Sequence, residues 1–445
     1  MPSSDPAAYA AGRGLRPHPR ADCGSMRTMS TTNESRTTES MAGVPFAAHD
    51  HVRVGLLGAG ARGSGLAANL AHVEGATLAI VAEPGSRELL DQRWPDGKDR
   101  PTVVNSAEEV FAADVDLILV ATPWETHADL ALQAMRAGKH VAVEVPIGVT
   151  IDQLWELVDT SEQTRRHCLI MENCCYGRNE MMVLQMARAG LFGELLHGEA
   201  AYIHDLRQLL FQRLPWRREM HTKIDGNHYP THGLGPVAGY MGINRGDRLT
   251  RIVSMSTGHY GLEKWRERHL PADDPRQKET YVAGDINTSL LQTEQGRTIL
   301  LQHQVIGPRP YDRLNGIVGT DGLFQDYPAR IFIEDADEVD LDAEMGHVDW
   351  QDLEPYREKY EHPLWQAEGE AALAAGGHGG MDYLMLLRIV QNMRAGSTPD
   401  MDVYDGAAWS APLPLSVASV AAGGAPQDIP DFTRGRWQEA YPGLP

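Results

Sequence analysis

From residue 51 onward the chain alternates short apolar runs with amphipathic stretches. Residues 52–60 (VRVGLLGAG), 76–83 (ATLAIVAE), 115–122 (VDLILVAT) and 140–146 (HVAVEVP) are apolar without alternation. That pattern marks strands covered on both faces of a parallel sheet. Helical stretches separate them, among them 64–72 and 127–137, and strand and helix in turn predict a doubly wound sheet. Past residue 150 the rhythm changes. Amphipathic helices near 150–166 and 177–190 flank a strand at 168–172. Strand-like runs follow at 198–203, 251–257, 288–293, 298–305 and 314–318, with helices again at 381–394 and around 403–410. The fold class is therefore α/β: an N-terminal Rossmann sheet, then an α+β region built on a large, mostly antiparallel sheet. The expected divisions are a disordered tail over 1–50, a nucleotide-binding domain over 51–173 and a substrate and oligomerisation domain over 174–445. The last helices are free to pack back on the first sheet.

Composition narrows the function. The 445 residues carry a formal net charge of −21, which disfavours nucleic acid, anionic membranes and polyanionic substrates. No apolar run approaches the ~18 residues of a membrane span. The first 50 residues are rich in Ser, Thr, Pro, Ala and Arg and lack the apolar core of a signal peptide or a twin-arginine pair, so a cytoplasmic protein is expected. Cys23, Cys168, Cys174 and Cys175 form no CxxC pair and read as reduced thiols. Met26, Met29 and Met41 are alternative starts.

Gly58-Ala59-Gly60-Ala61-Arg62-Gly63 is a GxGxxG that follows a strand and opens a helix, and Glu83 ends the next strand 20 positions after Gly63. In that context the motif is a dinucleotide fingerprint. The glycines admit the pyrophosphate to the helix N-terminus, and Glu83 accepts from the adenosine ribose. A carboxylate there repels a 2′-phosphate, so the expected cofactor is NAD rather than NADP.

Ala121-Thr122-Pro123 with His127, and Ala137-Gly138-Lys139-His140-Val141 leading to Glu144-Val145-Pro146, resemble the glucose–fructose oxidoreductase and inositol dehydrogenase superfamily. Val145 stands where those enzymes usually carry a catalytic Lys. Three longer strings resemble one branch, the NAD-dependent α-N-acetylgalactosaminidases of glycoside hydrolase family 109. They are Glu172-Asn173-Cys174-Cys175-Tyr176-Gly177-Arg178, Tyr229-Pro230-Thr231-His232-Gly233-Leu234-Gly235-Pro236 and Gly377-His378-Gly379-Gly380-Met381-Asp382. Residues 201–207 and 431–437 match as well. Members often carry Asp where this chain has Glu83, and many carry a twin-arginine export signal.

The resemblance implies hydrolysis of a glycoside through transient oxidation at sugar carbon 3, elimination across carbons 2 and 1, addition of water and re-reduction. The standard pair of glycosidase carboxylates is then not needed. It further implies Tyr176 and His232 as acid/base groups, their roles undivided, with Tyr229 beside both nicotinamide and sugar. Cofactor contacts are implied for Trp124, Glu125, Thr126, His127, Glu144, Val145 and Asn173, besides Gly58, Gly60, Arg62, Gly63 and Glu83. Sugar contacts are implied for Tyr202, Arg217, Tyr229, Pro230, Thr231, His232, Tyr311 and His378. Read without the resemblance, Tyr176 is a core aromatic and His232 a structural histidine in a turn-rich loop. The Val145–Pro146 peptide is a candidate cis bond.

No metal is expected: the 18 histidines are scattered, and His221, His228 and His232 fall at spacings without a ligand pattern. Expected partners are a small glycoside and further copies of the chain in a dimer or tetramer. Two other readings stay open, a sugar 3-dehydrogenase that releases NADH and a non-catalytic NAD-binding sensor.

Overall fold

A computed structural model describes residues 39–334 and 349–445. Six strands form the first sheet: β1 (Val52–Leu57), β2 (Ala76–Ala82), β3 (Thr102–Val104), β4 (Leu117–Val120), β5 (His140–Val143) and β6 (Cys168–Ile170). Their order is β3-β2-β1-β4-β5-β6, all parallel. The apolar runs are continuous because helices cover both faces. β4 and β5 are buried at every position, which leaves no polar side to alternate. The order reverses direction between β1 and β4, and the crevice beyond those strand ends is where doubly wound sheets bind ligands. The short β3 lies outside the strands read from the sequence.

Eight strands form the second sheet: β7 (Leu195–Ile203), β8 (Leu249–Ser256), β9 (Asn287–Thr293), β10 (Thr298–Gln304), β11 (Gly316–Gly319), β12 (Gly322–Gln325), β13 (Arg330–Ile333) and β14 (Gln427–Asp428). Their order is β13-β12-β11-β7-β10-β9-β8-β14, antiparallel except where β10 runs alongside β7. One face is packed by helices. The other carries a row across the sheet, Val253 beside Leu290 beside Leu300 beside Glu199, and Leu290 and Met255 are exposed on it.

Two expectations are corrected. Residues 39–50 were expected to belong to a disordered tail, yet they pack. The Met41 amide donates to the Tyr404 hydroxyl at 2.9 Å, and the Phe46 amide donates to the Ser397 carbonyl at 3.0 Å. The buried Phe46 ring meets His140 edge-on with centroids 5.1 Å apart, and it also packs on His167. Polar composition hid two apolar anchors. Residues 1–38, the rest of that expected tail, lie outside the described residues. The second correction is the stretch around His232, which is a helix, Thr231–Tyr240, and not a loop. Three glycines and Pro236 give it poor intrinsic propensity. Packing explains them, because a Cβ at Gly233 would lie 2.3 Å from the Ala201 amide of β7 and one at Gly235 2.8 Å from Glu172 Cγ. Only glycine lets the helix lie this close to the strand.

Among the described residues no helix is long and apolar enough to cross a membrane. Cys168, Cys174 and Cys175 are buried free thiols.

Candidate functional site

A cavity of 1210 Å³ opens at the carboxyl edge of the parallel sheet, bounded by the ends of β1, β2, β4 and β5. It exceeds the ~300–1000 Å³ of most small-molecule sites, so it has room for a dinucleotide and a second ligand.

At one end lies the glycine loop. Gly58 has φ +85°, and a Cβ there would press on the Ala121 carbonyl at 2.9 Å; a Cβ at Gly63 would lie 1.9 Å from the Gly58 carbonyl. Both glycines are thus required by the protein's own packing. Gly60 is different. Its φ of −63° suits any residue, and a Cβ would meet nothing within 4 Å. The space beside it lies at the N-terminus of helix Ala61–Leu70, which has no side-chain cap. Amide groups left free at a helix N-terminus and an open cradle in front of them fit a pyrophosphate. Glu83 accepts from the amides of Ala59 and Gly85, both at 2.7 Å, which fixes its carboxylate at the cavity wall.

In the middle, Arg62 binds Glu144 at 2.7 Å and Asp382 at 2.6 Å. Asp382 also accepts from His378 Nδ1 and Asn173 Nδ2, both at 2.8 Å. Burial lowers the Arg62 guanidinium's affinity for its proton, but the two carboxylates more than offset this and lock its charge. Arg62, Glu144, Val145 and His378 line the cavity, whereas Asn173 is buried behind Asp382. His127 lines it too, with ring nitrogens 2.7 Å from the Thr122 carbonyl and 2.8 Å from that of Pro146. It ties the loops after β4 and β5 together. The Val145–Pro146 peptide is cis.

At the far end sits an aromatic cage. Tyr229 stacks on Trp124 with centroids 5.4 Å apart and tilts against Tyr202 at 4.7 Å. The Arg217 guanidinium lies 4.7 Å from the Tyr229 ring and 4.8 Å from Trp124. Its Nη2 is buried without a hydrogen-bond partner among the described residues, and an unpaired buried donor calls for a ligand oxygen. Tyr229 and His232 face each other, hydroxyl to Nε2 at 3.4 Å. Behind them the fully buried Glu172 holds His232 Nδ1 at 2.8 Å. Burial pushes the Glu172 carboxyl up, but the adjoining His232 outweighs it and holds the group below the usual range. Burial raises the Tyr229 and Tyr202 hydroxyls, so both enter as neutral phenols.

The sequence reading did not assign Glu172 or Trp216, which packs edge-on against Trp124. Glu172 stands in a string quoted for the resemblance, but no local pattern says that it meets a histidine 60 residues away. Besides Gly63 and Asn173, four expected residues do not line the cavity. Glu125 is exposed on the far side of its turn. Pro230 and Thr231 are buried at the start of the helix that aims His232. Tyr311 is 40% exposed with its ring 6.4 Å from Tyr202, at the outer edge. Tyr176 is a further departure and a correction. It is 1% exposed, and its hydroxyl donates to Asp400 at 2.9 Å on the opposite side of its turn from His232. Burial, reinforced by Asp400, drives its pKa well up, and its hydroxyl is engaged with Asp400 away from the cavity.

Residues 52–172 match the NAD-binding Rossmann-fold oxidoreductase family, and residues 176–439 match the C-terminal domain of glycosyl hydrolase 109. A glycosyl hydrolase family 109 protein of Solibacter usitatus is 52% identical over 91% of this chain and 94% of its own length. One from Saccharopolyspora erythraea is 51% identical over 91% of this chain and 88% of its own. Among solved structures, levoglucosan dehydrogenase in complex with NADH and levoglucosan shares the fold, with a TM-score of 0.64 at 17% identity, covering 85% of this chain and all of that one.

Proposed function

Because this chain belongs to glycosyl hydrolase family 109 and carries an NAD-binding Rossmann fold, we propose that it is a redox-neutral glycosidase acting on terminal α-linked N-acetylgalactosamine or a closely related glycoside. Its premise is an NAD-dependent carbohydrate-active enzyme. The observation that carries the proposal is the Glu172–His232–Tyr229 relay opening onto the aromatic cage, in the same cavity as the glycine loop.

NAD, bound along Gly58, Gly60 and Glu83, supplies a hydride acceptor and donor for one ring carbon of the sugar. The chain's residues bind the sugar and move protons. Arg217 offers its unpaired Nη2 to a ring hydroxyl or the acetamide oxygen. Tyr202, Tyr229 and Trp124 present faces to the sugar ring and narrow the space open to water. Glu172 accepts the Nδ1 proton of His232 and so leaves Nε2 as the acceptor toward the cavity. His232 then takes the proton released at the oxidised end of the sugar and returns it to water or the leaving group, while Tyr229, a neutral phenol, donates to a sugar oxygen. Two carboxylates line the cavity at its nucleotide and middle parts. Glu83 is occupied by amides and Glu144 by Arg62, an arrangement unlike a flanking acid/base pair.

Self-association belongs to the same reading. A second copy covers the Val253–Leu290–Leu300 row of the open sheet face, and Leu290→Lys shifts the sedimentation coefficient to that of a smaller species.

The test is to incubate dialysed enzyme with the p-nitrophenyl α-glycoside of N-acetylgalactosamine, with and without NAD⁺, while following nitrophenol and NADH absorbance together. Sustained nitrophenol release without NADH build-up is expected, with deuterium from heavy water at product carbon 2. NADH accumulation without release would instead make the chain a sugar dehydrogenase.

A further inference from the structure

Behind His232 stands a group that the proposed reaction does not use. Cys174 is 1% exposed, and its thiol lies 3.7 Å from Asn173 Oδ1 and beside the buried Arg313 guanidinium. Its amide donates to Glu172 Oε1 at 3.1 Å, the carboxylate that also holds His232. One ligand atom each from Glu172, Cys174 and His232 lie within 4.8 Å of one another. Among the described residues this is the one such group of three.

The donor set is an imidazole nitrogen, a thiol sulfur and a carboxylate oxygen, the three types that zinc takes at about 2.0–2.3 Å. Bonds of that length set tetrahedral donors about 3.3–3.5 Å apart, so a pair at the 4.8 Å limit closes by about 1.3 Å and the 2.8 Å Glu172–His232 pair opens by about 0.5 Å. Charge favours occupancy. The Arg313 guanidinium beside the thiol is balanced by Glu180 at 2.5 Å, so a divalent cation against one carboxylate and one thiolate leaves the region electroneutral, in a place where a net charge is costly. Access exists because His232 lines the cavity while the other two ligands lie behind it.

We propose that Glu172, Cys174 and His232 form an inhibitory binding site for a zinc-class divalent cation, which captures the histidine needed for proton transfer. On binding, bonds form from the cation to a Glu172 oxygen, Cys174 Sγ and His232 Nδ1. The thiol proton leaves to solvent. The imidazole proton moves from Nδ1 to Nε2, so the ring stays neutral and one proton is released per cation, with no change of oxidation state. His232 then presents a donor to the cavity where the reaction needs an acceptor, and turnover stops. The binding rests on the three donors alone, whereas the inhibition rests on the reading of His232 given above.

The experiment titrates NAD-loaded enzyme with Co²⁺ as a spectroscopic probe and with Zn²⁺ as inhibitor. Expected are a near-ultraviolet thiolate-to-cobalt band, release of one proton per ion, and zinc inhibition that a chelator reverses. Cys174→Ala loses the band and needs at least about tenfold more zinc for half-inhibition, while its zinc-free turnover stays at the wild-type level; Cys174→Ser serves in its place if the alanine variant does not fold. Absence of the band in the wild type, or equal zinc sensitivity in the variant, overturns the site. A band with undiminished turnover of the metal-loaded enzyme leaves the site standing and overturns the role given to His232.

Discussion

At the scale of the residue, two buried groups of one turn, Glu172 and Tyr176, have opposite fates. Glu172 reaches His232, while Tyr176, four residues on, points to Asp400. Glu172→Gln keeps the shape but replaces a carboxylate that can only accept with an uncharged amide that can also donate to Nδ1, so the His232 tautomer is no longer fixed. A fall of at least ~10-fold in kcat is expected, with NAD affinity unchanged by fluorescence titration. Tyr176→Phe removes one of several partners of Asp400, which keeps Arg388 and Asn392. Turnover should stay near the wild-type value, with a stability loss of about 1 kcal/mol in urea unfolding. A collapse of kcat in Tyr176→Phe would return it to the mechanism. The family strings drew attention to both positions, but a string gives no direction to a side chain. Tyr176 and Glu172 sit one turn apart in sequence and on opposite sides of it in space.

At the scale of the element, the glycine loop separates folding from binding. Gly63→Ala drives a Cβ into the Gly58 carbonyl, so the turn must open and the melting temperature should drop. Gly60→Ala meets nothing in the protein. It should melt like the wild type and yet bind NAD at least ~10-fold more weakly in calorimetry, because the methyl group occupies the phosphate's approach. Normal NAD affinity in Gly60→Ala would remove the pyrophosphate from that cradle. The strands of the parallel sheet were legible because burial on both faces writes itself as unbroken apolar runs. The helix Thr231–Tyr240 was not, because its glycines and proline answer to the strand beneath it and not to helix propensity.

At the scale of the whole molecule, buried histidines set the response to acid. Burial lowers His140 to about 3, with help from His167, and lowers His167 and His228 each to about 4. Each is harder to protonate folded than unfolded. Between about pH 6.5 and 4 the unfolded chain therefore binds more protons, and stability is lost as pH falls through that window. Burial beside Asp405 pushes Asp402 up to about 7, which works in the opposite sense; three groups against one leave a net loss. A melting temperature that falls steeply from pH 6.5 to 4.5 is expected, and a flat profile would mean that these rings are not buried neutral. Phe46 packs on two of those rings, so Phe46→Ala should cost about 3–5 kcal/mol. Unchanged stability would return residues 39–50 to the status of a tail.

The sequence by itself determined what local order can encode: the alternation of strand and helix, the glycine fingerprint with its acidic partner, and the strings that mark the family. Each is a pattern among near neighbours, and the physical demand behind it, burial or backbone approach, acts on consecutive residues. The tertiary structure alone decided which polar groups meet. Glu172 and His232 are 60 positions apart, Arg62 and Asp382 are 320, and the orphaned Arg217 Nη2 is recognisable only once every neighbour is in place. A hydrogen bond depends on distance in space, and distance along the chain carries no record of it.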